Sequence, residues 1–294
     1  MTVRSPGAQT LLTDLIMIEY LNFYYFLYIA LALALLAGLY FLLRNKGKRV
    51  GTLVLFGLLF ASFALHFLKL TFGEYQRWMP RAVMTITPEN ICAVSVLIFP
   101  WLFLSGKDLL KDYMFYFGLL SGLGATVVPV DIIGRGAFEF EVIRFYFCHI
   151  IIWVVPLLMV MLKLHTLDYK RIFKVPFMFY LVLCVILANE VMLTGAGFIH
   201  IDYLFNSSIR NAAMIFGPHP EVAPLGRLFL ALTPKLFQTV PVGPNAGAVF
   251  YWPVIWLIIP AYICFCVFAL AISIPRQHRV MKEDVSRLIK RLNR

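Results

Sequence analysis

Long apolar runs alternate with short polar turns along this chain. A run of about 20 apolar residues is the length that crosses a bilayer as a helix. The pattern predicts spans at Asn22–Leu43, Gly51–Phe72, Pro88–Ser105, Tyr113–Val130, Glu141–Leu164, Phe173–Thr194 and Phe250–Ile274. The first stops at a dense basic turn, Arg44-Asn45-Lys46-Gly47-Lys48-Arg49. The third reads as starting with Thr87 as N-cap and Pro88 in the first turn. In the fourth, Gly118, Gly122 and Gly124 allow close helix approach. Residues 1–20 form a mildly amphipathic lead-in with Asp14 and Glu19. Residues 195–249 are rich in Gly and Pro yet too apolar for a free loop, which predicts a structured cap that packs on the bundle or re-enters it. The last residues, 275–294, form a basic amphipathic tail suited to anionic headgroups.

Composition decides the class. Hydrophobic residues make up 61% of the chain and charged residues 14%, against about 45–50% and about 25% in an ordinary soluble domain. The expectation is an all-α polytopic membrane helical bundle of about seven spans, with residues 1–274 as one bundle. The net charge of +11 belongs to the loops that flank the spans, not to a nucleic-acid surface. The excess of Lys and Arg on one side places the N-terminus outside and the C-terminus in the cytoplasm. The five cysteines lie in or beside apolar segments, with no CxxC pair, so neither a disulfide framework nor a metal site is expected, and no cofactor is implied.

Charge and polarity then collect at one depth. His66 and Lys69 end the second span, Glu89, Asn90 and Cys92 open the third, and Glu141, Arg144 and His149 open the fifth. Asn189 and Glu190 lie toward the same end of the sixth. Ionisable groups inside a membrane are costly, and a layer of them marks a candidate site. Simpler roles exist for each. Glu141 and Arg144 are three apart and can pair on their own helix, Lys69 can extend to the headgroups, and Asn189 and Glu190 can bridge helices.

Two members have chemistry beyond charge. Cys92 lies near a helix N-terminus, which favours a thiolate. His149 is a base in the right range. Together they have the residue types of a nucleophile and its base, with Glu141 or Glu190 to orient the imidazole and Arg144 or Lys69 to hold a lipid phosphate.

The run Phe138-Glu139-Phe140-Glu141, then His149 and Val154-Val155-Pro156, resembles the transmembrane protein 164 family and its bacterial YwaF-type relatives. So do Pro88-Glu89-Asn90-Ile91-Cys92, Gly118 through Pro129, and Asp202-Tyr203-Leu204-Phe205. The resemblance covers roughly residues 60–235. It implies a cysteine-dependent phospholipid acyltransferase, with the acyl-enzyme cysteine falling on Cys92 and its histidine on His149. The family pattern often has a histidine beside that cysteine, where this chain has Ile91 and Ala93. Membrane lipids are the expected partners and a bacterial cell membrane the expected location. Two other readings use the same residues. One is a carrier or receptor for a small polar or lipid ligand. The other is an assembly protein whose polar layer only specifies packing.

Overall fold

The computed structural model describes residues 16–208, 210, 211, 213–219 and 223–292. Asp14 and most of the lead-in, together with Pro220 and Glu221 of the cap, lie outside the described residues. Among the described residues the chain is helical, with two isolated bridges and no strand. Six helical segments are long and apolar enough to cross a membrane: Phe23–Leu43, Lys48–Thr71, Asp108–Ile132, Phe140–Met161, Tyr169–Gly195 and Ile255–Pro275. A shorter apolar helix, Ile91–Leu104, accompanies them. The chain is an all-α polytopic membrane protein.

It divides into two compact units. The first holds the chain up to Lys69, Ser95–Gly106 and Met114–Thr166. The second holds Leu70–Val94, Lys107–Tyr113 and everything from Leu167 onward.

In the first unit, helices α1 (Phe23–Leu43) and α2 (Lys48–Leu68) pack on a central helix running over Phe140–Met161. Of that central helix's span window 72% is buried, against 11% for α1. α1 is apolar nearly all round because its surface is offered to lipid, not to protein. Asn22 caps it, accepting from the Tyr25 amide at 2.9 Å.

Helix α3 (Ile91–Leu104) starts three residues later than the sequence pattern predicts. Asn90 supplies the cap, its side-chain oxygen accepting from the Ala93 amide at 2.8 Å. An Asn caps at least as well as a Thr, and Thr87 is occupied, its hydroxyl donating to the Met84 carbonyl at 2.6 Å.

Helix α4 (Asp108–Phe117) passes into a π-turn over Gly118–Leu123 and a final turn ending at Val127. The central helix is α5 (Phe140–Met161). Pro156 lies inside it and has no N–H for the Ile152 carbonyl. That carbonyl faces Gly118, so closely that an added Cβ would collide with it. At Gly122 an added Cβ would meet the His149 carbonyl at 2.7 Å. The glycines and the proline are thus two halves of one contact: a freed carbonyl on α5 and a surface without side chains opposite it. Thr126 and Ser121 donate to the carbonyls of Gly122 and Phe117, both at 2.7 Å, within and beside the π-turn.

In the second unit, α6 (Val175–Gly195) follows a 3-10 segment, Tyr169–Lys174. Residues 195–257 contain α7 (Ala223–Leu232) and several 3-10 turns. Buried Asn211 organises part of this cap, donating to the Gly217 carbonyl at 2.7 Å and accepting from the Phe216 amide at 2.9 Å. Trp256 donates to the Met214 carbonyl at 2.8 Å.

The last helix, α8, covers Ile258–Leu292. Its start is later than the predicted Phe250, because residues 250–254 lead in through Pro253, which cannot donate to a helix. Its end is much later, since the tail continues the spanning helix. The 3-10 segment holds that continuation: Gln277 accepts from the Tyr169 amide at 3.0 Å and donates to the Leu167 carbonyl at 2.7 Å.

Candidate functional site in the second unit

The polar residues predicted to share a layer fall into two groups, one in each unit. Glu89, Asn90, Cys92, Asn189 and Glu190 belong to the second unit; His66, Lys69, Glu141, Arg144 and His149 belong to the first.

In the second unit a network joins α6, the cap and the segment before α3. α6 presents Asn189 and Glu190 near its C-terminal end. Asn189 donates to the Thr87 hydroxyl at 3.0 Å, which ties α6 to the segment leading into α3. Glu190 is buried, 5% exposed at its side chain, and is bound by Arg210 from the cap. The Arg210 guanidinium donates through Nε and Nη2 to the two Glu190 oxygens at 3.0 and 2.9 Å, a bidentate pair. Nη2 also reaches Glu89 at 3.4 Å. The hydrogen bonds to Glu190 come first in raising the hold of Arg210 on its proton, with Glu89 adding to them. One arginine thereby neutralises a buried carboxylate and pins the strand of chain that precedes Asn90.

Arg210 also lines a partly open cleft of about 560 Å³. Arg81, His200 and Tyr203 supply polar groups there, and Met84, Phe198 and Ile199 supply apolar ones. Arg81 is exposed and has no ion pair among the described residues. The Nη1 donors of Arg210 are likewise uncommitted among the described residues. The His200 imidazole lies 3.1 Å from the Asp202 carboxylate through Nδ1. Two guanidinium groups beside apolar side chains suit an amphiphile with an anionic head.

Cys92 is half-buried in the first turn of α3, whose N-terminal amides favour negative charge. All five cysteines are free thiols; Cys148 and Cys266 are buried, and Cys184 is exposed. The chain belongs to the TMEM164 family. The family model matches residues 17–271, which covers the first five spans and most of the sixth. No curated protein and no solved structure matches the chain. The TMEM164 match also takes in both groups of polar residues, including the first unit's set.

In that first unit, Arg144 donates to both oxygens of Glu141, through Nε at 2.9 Å and through Nη2. The pair is three residues apart on α5 with both side chains about one-seventh exposed. The ion pair predicted from their spacing is thus present. His149 is oriented by the backbone: Nδ1 lies 2.7 Å from the Phe145 carbonyl. A carbonyl only accepts, so Nδ1 carries the proton, and in the neutral ring Nε2 keeps its lone pair. The backbone thus orients the imidazole at Nδ1, while Glu141 binds Arg144 and Glu190 binds Arg210. Lys69 does not extend to the surface; it and His66 are each 4% exposed. Lys69 and Arg144 both exert charge on the buried Cys148 thiol.

Sequence reasoning missed Arg210 and Arg81. Arg210 lies in the Gly- and Pro-rich stretch, read there only as a cap. The usable signal was an arginine in a stretch read as packing on the bundle, where a charge needs an acidic partner. It also missed Asp112, fully buried and bound bidentately by Arg171.

Proposed function

We propose that this chain transfers acyl groups between membrane lipids, with Cys92 as the acyl carrier. The Cys92 sulfur attacks the carbonyl carbon of a lipid ester. The ester C–O bond breaks, a thioester forms, and the departing alcohol takes up the proton lost by the thiol. A second lipid alcohol then attacks the thioester, the C–S bond breaks, and the thiol is restored.

One observation carries the reading. Arg210 is shared between the cleft and Glu89, three residues before Cys92. The cleft's guanidinium groups suit a phosphate or other anionic head, and its apolar residues suit the adjoining chain. The same arginine fixes the segment that sets the start of the nucleophile's helix.

The test uses purified protein in nanodiscs with a phospholipid bearing an alkyne-tagged acyl chain. The expected outcome is transfer of the tag to an acceptor lysolipid, lost in Cys92→Ala and kept in Cys148→Ala. Undiminished transfer by Cys92→Ala overturns the nucleophile assignment.

A membrane carrier or receptor is the second reading, and the length of α3 favours it. Its 14 residues span about 21 Å at 1.5 Å per residue, short of the roughly 30 Å hydrocarbon core. The π-turn likewise interrupts the Asp108–Ile132 segment. Interrupted helices are where transporters build substrate sites. Lipid binding that survives Cys92→Ala and is lost in Arg210→Met, with no transfer by either protein, selects this reading.

A further inference from the structure

Between α7 and α8 the cap folds back on itself in a short hairpin. Thr239 and Val249 form an isolated antiparallel bridge. The Val240 amide donates to the Ala248 carbonyl at 2.9 Å, Gly247 to Val240 at 2.8 Å, and Phe250 to Gln238 at 2.9 Å. At its base Trp252 donates through its amide to the Phe237 carbonyl at 3.1 Å and through Nε1 to the Thr239 carbonyl at 3.2 Å. The Gln238 side chain closes on the Thr233 carbonyl at 2.7 Å.

The chemistry of this hairpin is the reverse of an ordinary loop tip. Loop tips are polar because their backbone and side chains face water. Here Val242 is 78% exposed and Val249 74% exposed, with Leu236 and Phe250 also exposed. Between Val240 and Ala248 the only polar side chain is Asn245. No Asp, Glu, Lys, Arg or His occurs from Leu236 to Pro275, so the uncharged character of the last span begins well before its helix does.

We infer that the 236–250 hairpin is inserted into the lipid at the headgroup–acyl boundary, beside the N-terminal end of the last span. Three features of the backbone make that placement inexpensive. Non-helical chain is tolerated at a membrane where its polar groups find partners, and the cross-hairpin bonds occupy the Val240, Gly247 and Phe250 amides. Pro241 and Pro244 remove two amide donors from the tip altogether. Gly243 and Gly247, at φ +95° and +86°, supply the left-handed positions that let the chain turn tightly enough to form those bonds. Half-buried Tyr251 and Trp252 at the base are residue types that favour the interface. Asn245 limits the depth, since a primary amide in hydrocarbon has no partner. The inference is independent of acyl transfer.

The test places an environment-sensitive fluorescent amino acid at Val242 by codon reassignment, with Ala246 as a second site, in the full chain in phosphatidylcholine nanodiscs. Lys290 on the tail serves as the aqueous control. Lipids brominated on their acyl chains are expected to quench the probe at Val242 and Ala246 several-fold more than at Lys290, and aqueous iodide to show the opposite order. Iodide quenching at Val242 equal to that at Lys290 overturns the inference. So does the absence of bromolipid quenching, which would leave a protein surface as the tip's neighbour.

Discussion

The ion pairs of the two units differ in what they join. In the first, Arg144 and Glu141 sit one turn apart on α5. In the second, Arg210 gathers Glu190 from α6 and Glu89 from the segment before α3, twenty and more than a hundred residues away. The local pair satisfies two charges that one helix already brings together. The long-range set decides where three separate pieces of chain lie. The first bond lies within one helix, whereas the second joins three pieces of chain and borders a cleft.

That contrast can be broken or sharpened by substitution, and one of the two largest effects belongs to neither pair. Gly118→Ala drives a methyl into the Ile152 carbonyl, a backbone atom with little freedom to move. Such overpacking costs about 3 kcal/mol, and thermal unfolding in nanodiscs is expected to fall accordingly. If Gly118→Ala unfolds at the wild-type temperature, the close contact with α5 is not part of what holds the first unit together.

Arg210→Met leaves Glu190 buried without its partner. Removing one member of a buried pair costs about 3 kcal/mol, the lower part of the usual range because a quarter of the Arg210 side chain is exposed. Arg144→Met should cost about 1 kcal/mol, as a pair within one helix does. Equal losses in the two variants would erase the distinction between them. A Glu190→Gln, Arg210→Met double variant should recover part of the single-variant loss, which a double-mutant cycle measures directly.

Asn90→Ala removes the α3 cap and should cost about 1 kcal/mol. Its more telling effect is on thiol reactivity. Maleimide labelling of Cys92 should slow relative to Cys184 if the ordered first turn supports the thiolate, and remain unchanged if it does not.

The smallest effect is on the tail. Tyr169 donates to the Asp284 carboxylate at 2.6 Å and the Lys170 ammonium lies 2.6 Å from it. The hydrogen bonds from Lys170 and then Tyr169 hold the Asp284 carboxyl below its ordinary value. A depressed carboxyl contributes above the ordinary aspartate range and loses that contribution as pH falls through its folded-state value. Hydrogen-exchange protection of the tail, relative to the unstructured chain at each pH, should therefore be high and flat at neutral pH and fall only below that range. In Asp284→Asn the protection should be lower at neutral pH and insensitive to acid.

The sequence made the spans legible because each is long, apolar and bounded by bases or prolines. It made the Glu141–Arg144 pair legible because three-residue spacing is a local rule. Arg210 was not legible as a partner of Glu190, since no helical or strand period links a cap residue to α6. The start of α3 was misplaced because Thr87-Pro88 is a good local signal, and only the fold shows Thr87 engaged with Met84 and Asn189. His149 was legible only as a candidate base, and its orientation by the Phe145 carbonyl is a backbone contact that residue types do not reveal. The length of α8 was hidden by Pro275, which reads as a stop but lies within a continuous helix.

The central claim is that Cys92 carries an acyl group. It is tested most directly by intact-protein and peptide mass spectrometry after a short incubation with phospholipid in nanodiscs. The account predicts one acyl adduct on the peptide containing Cys92, removed by neutral hydroxylamine and absent in Cys92→Ala. An adduct that persists in Cys92→Ala, or transfer of acyl groups with no adduct on Cys92 under single-turnover conditions, would contradict it.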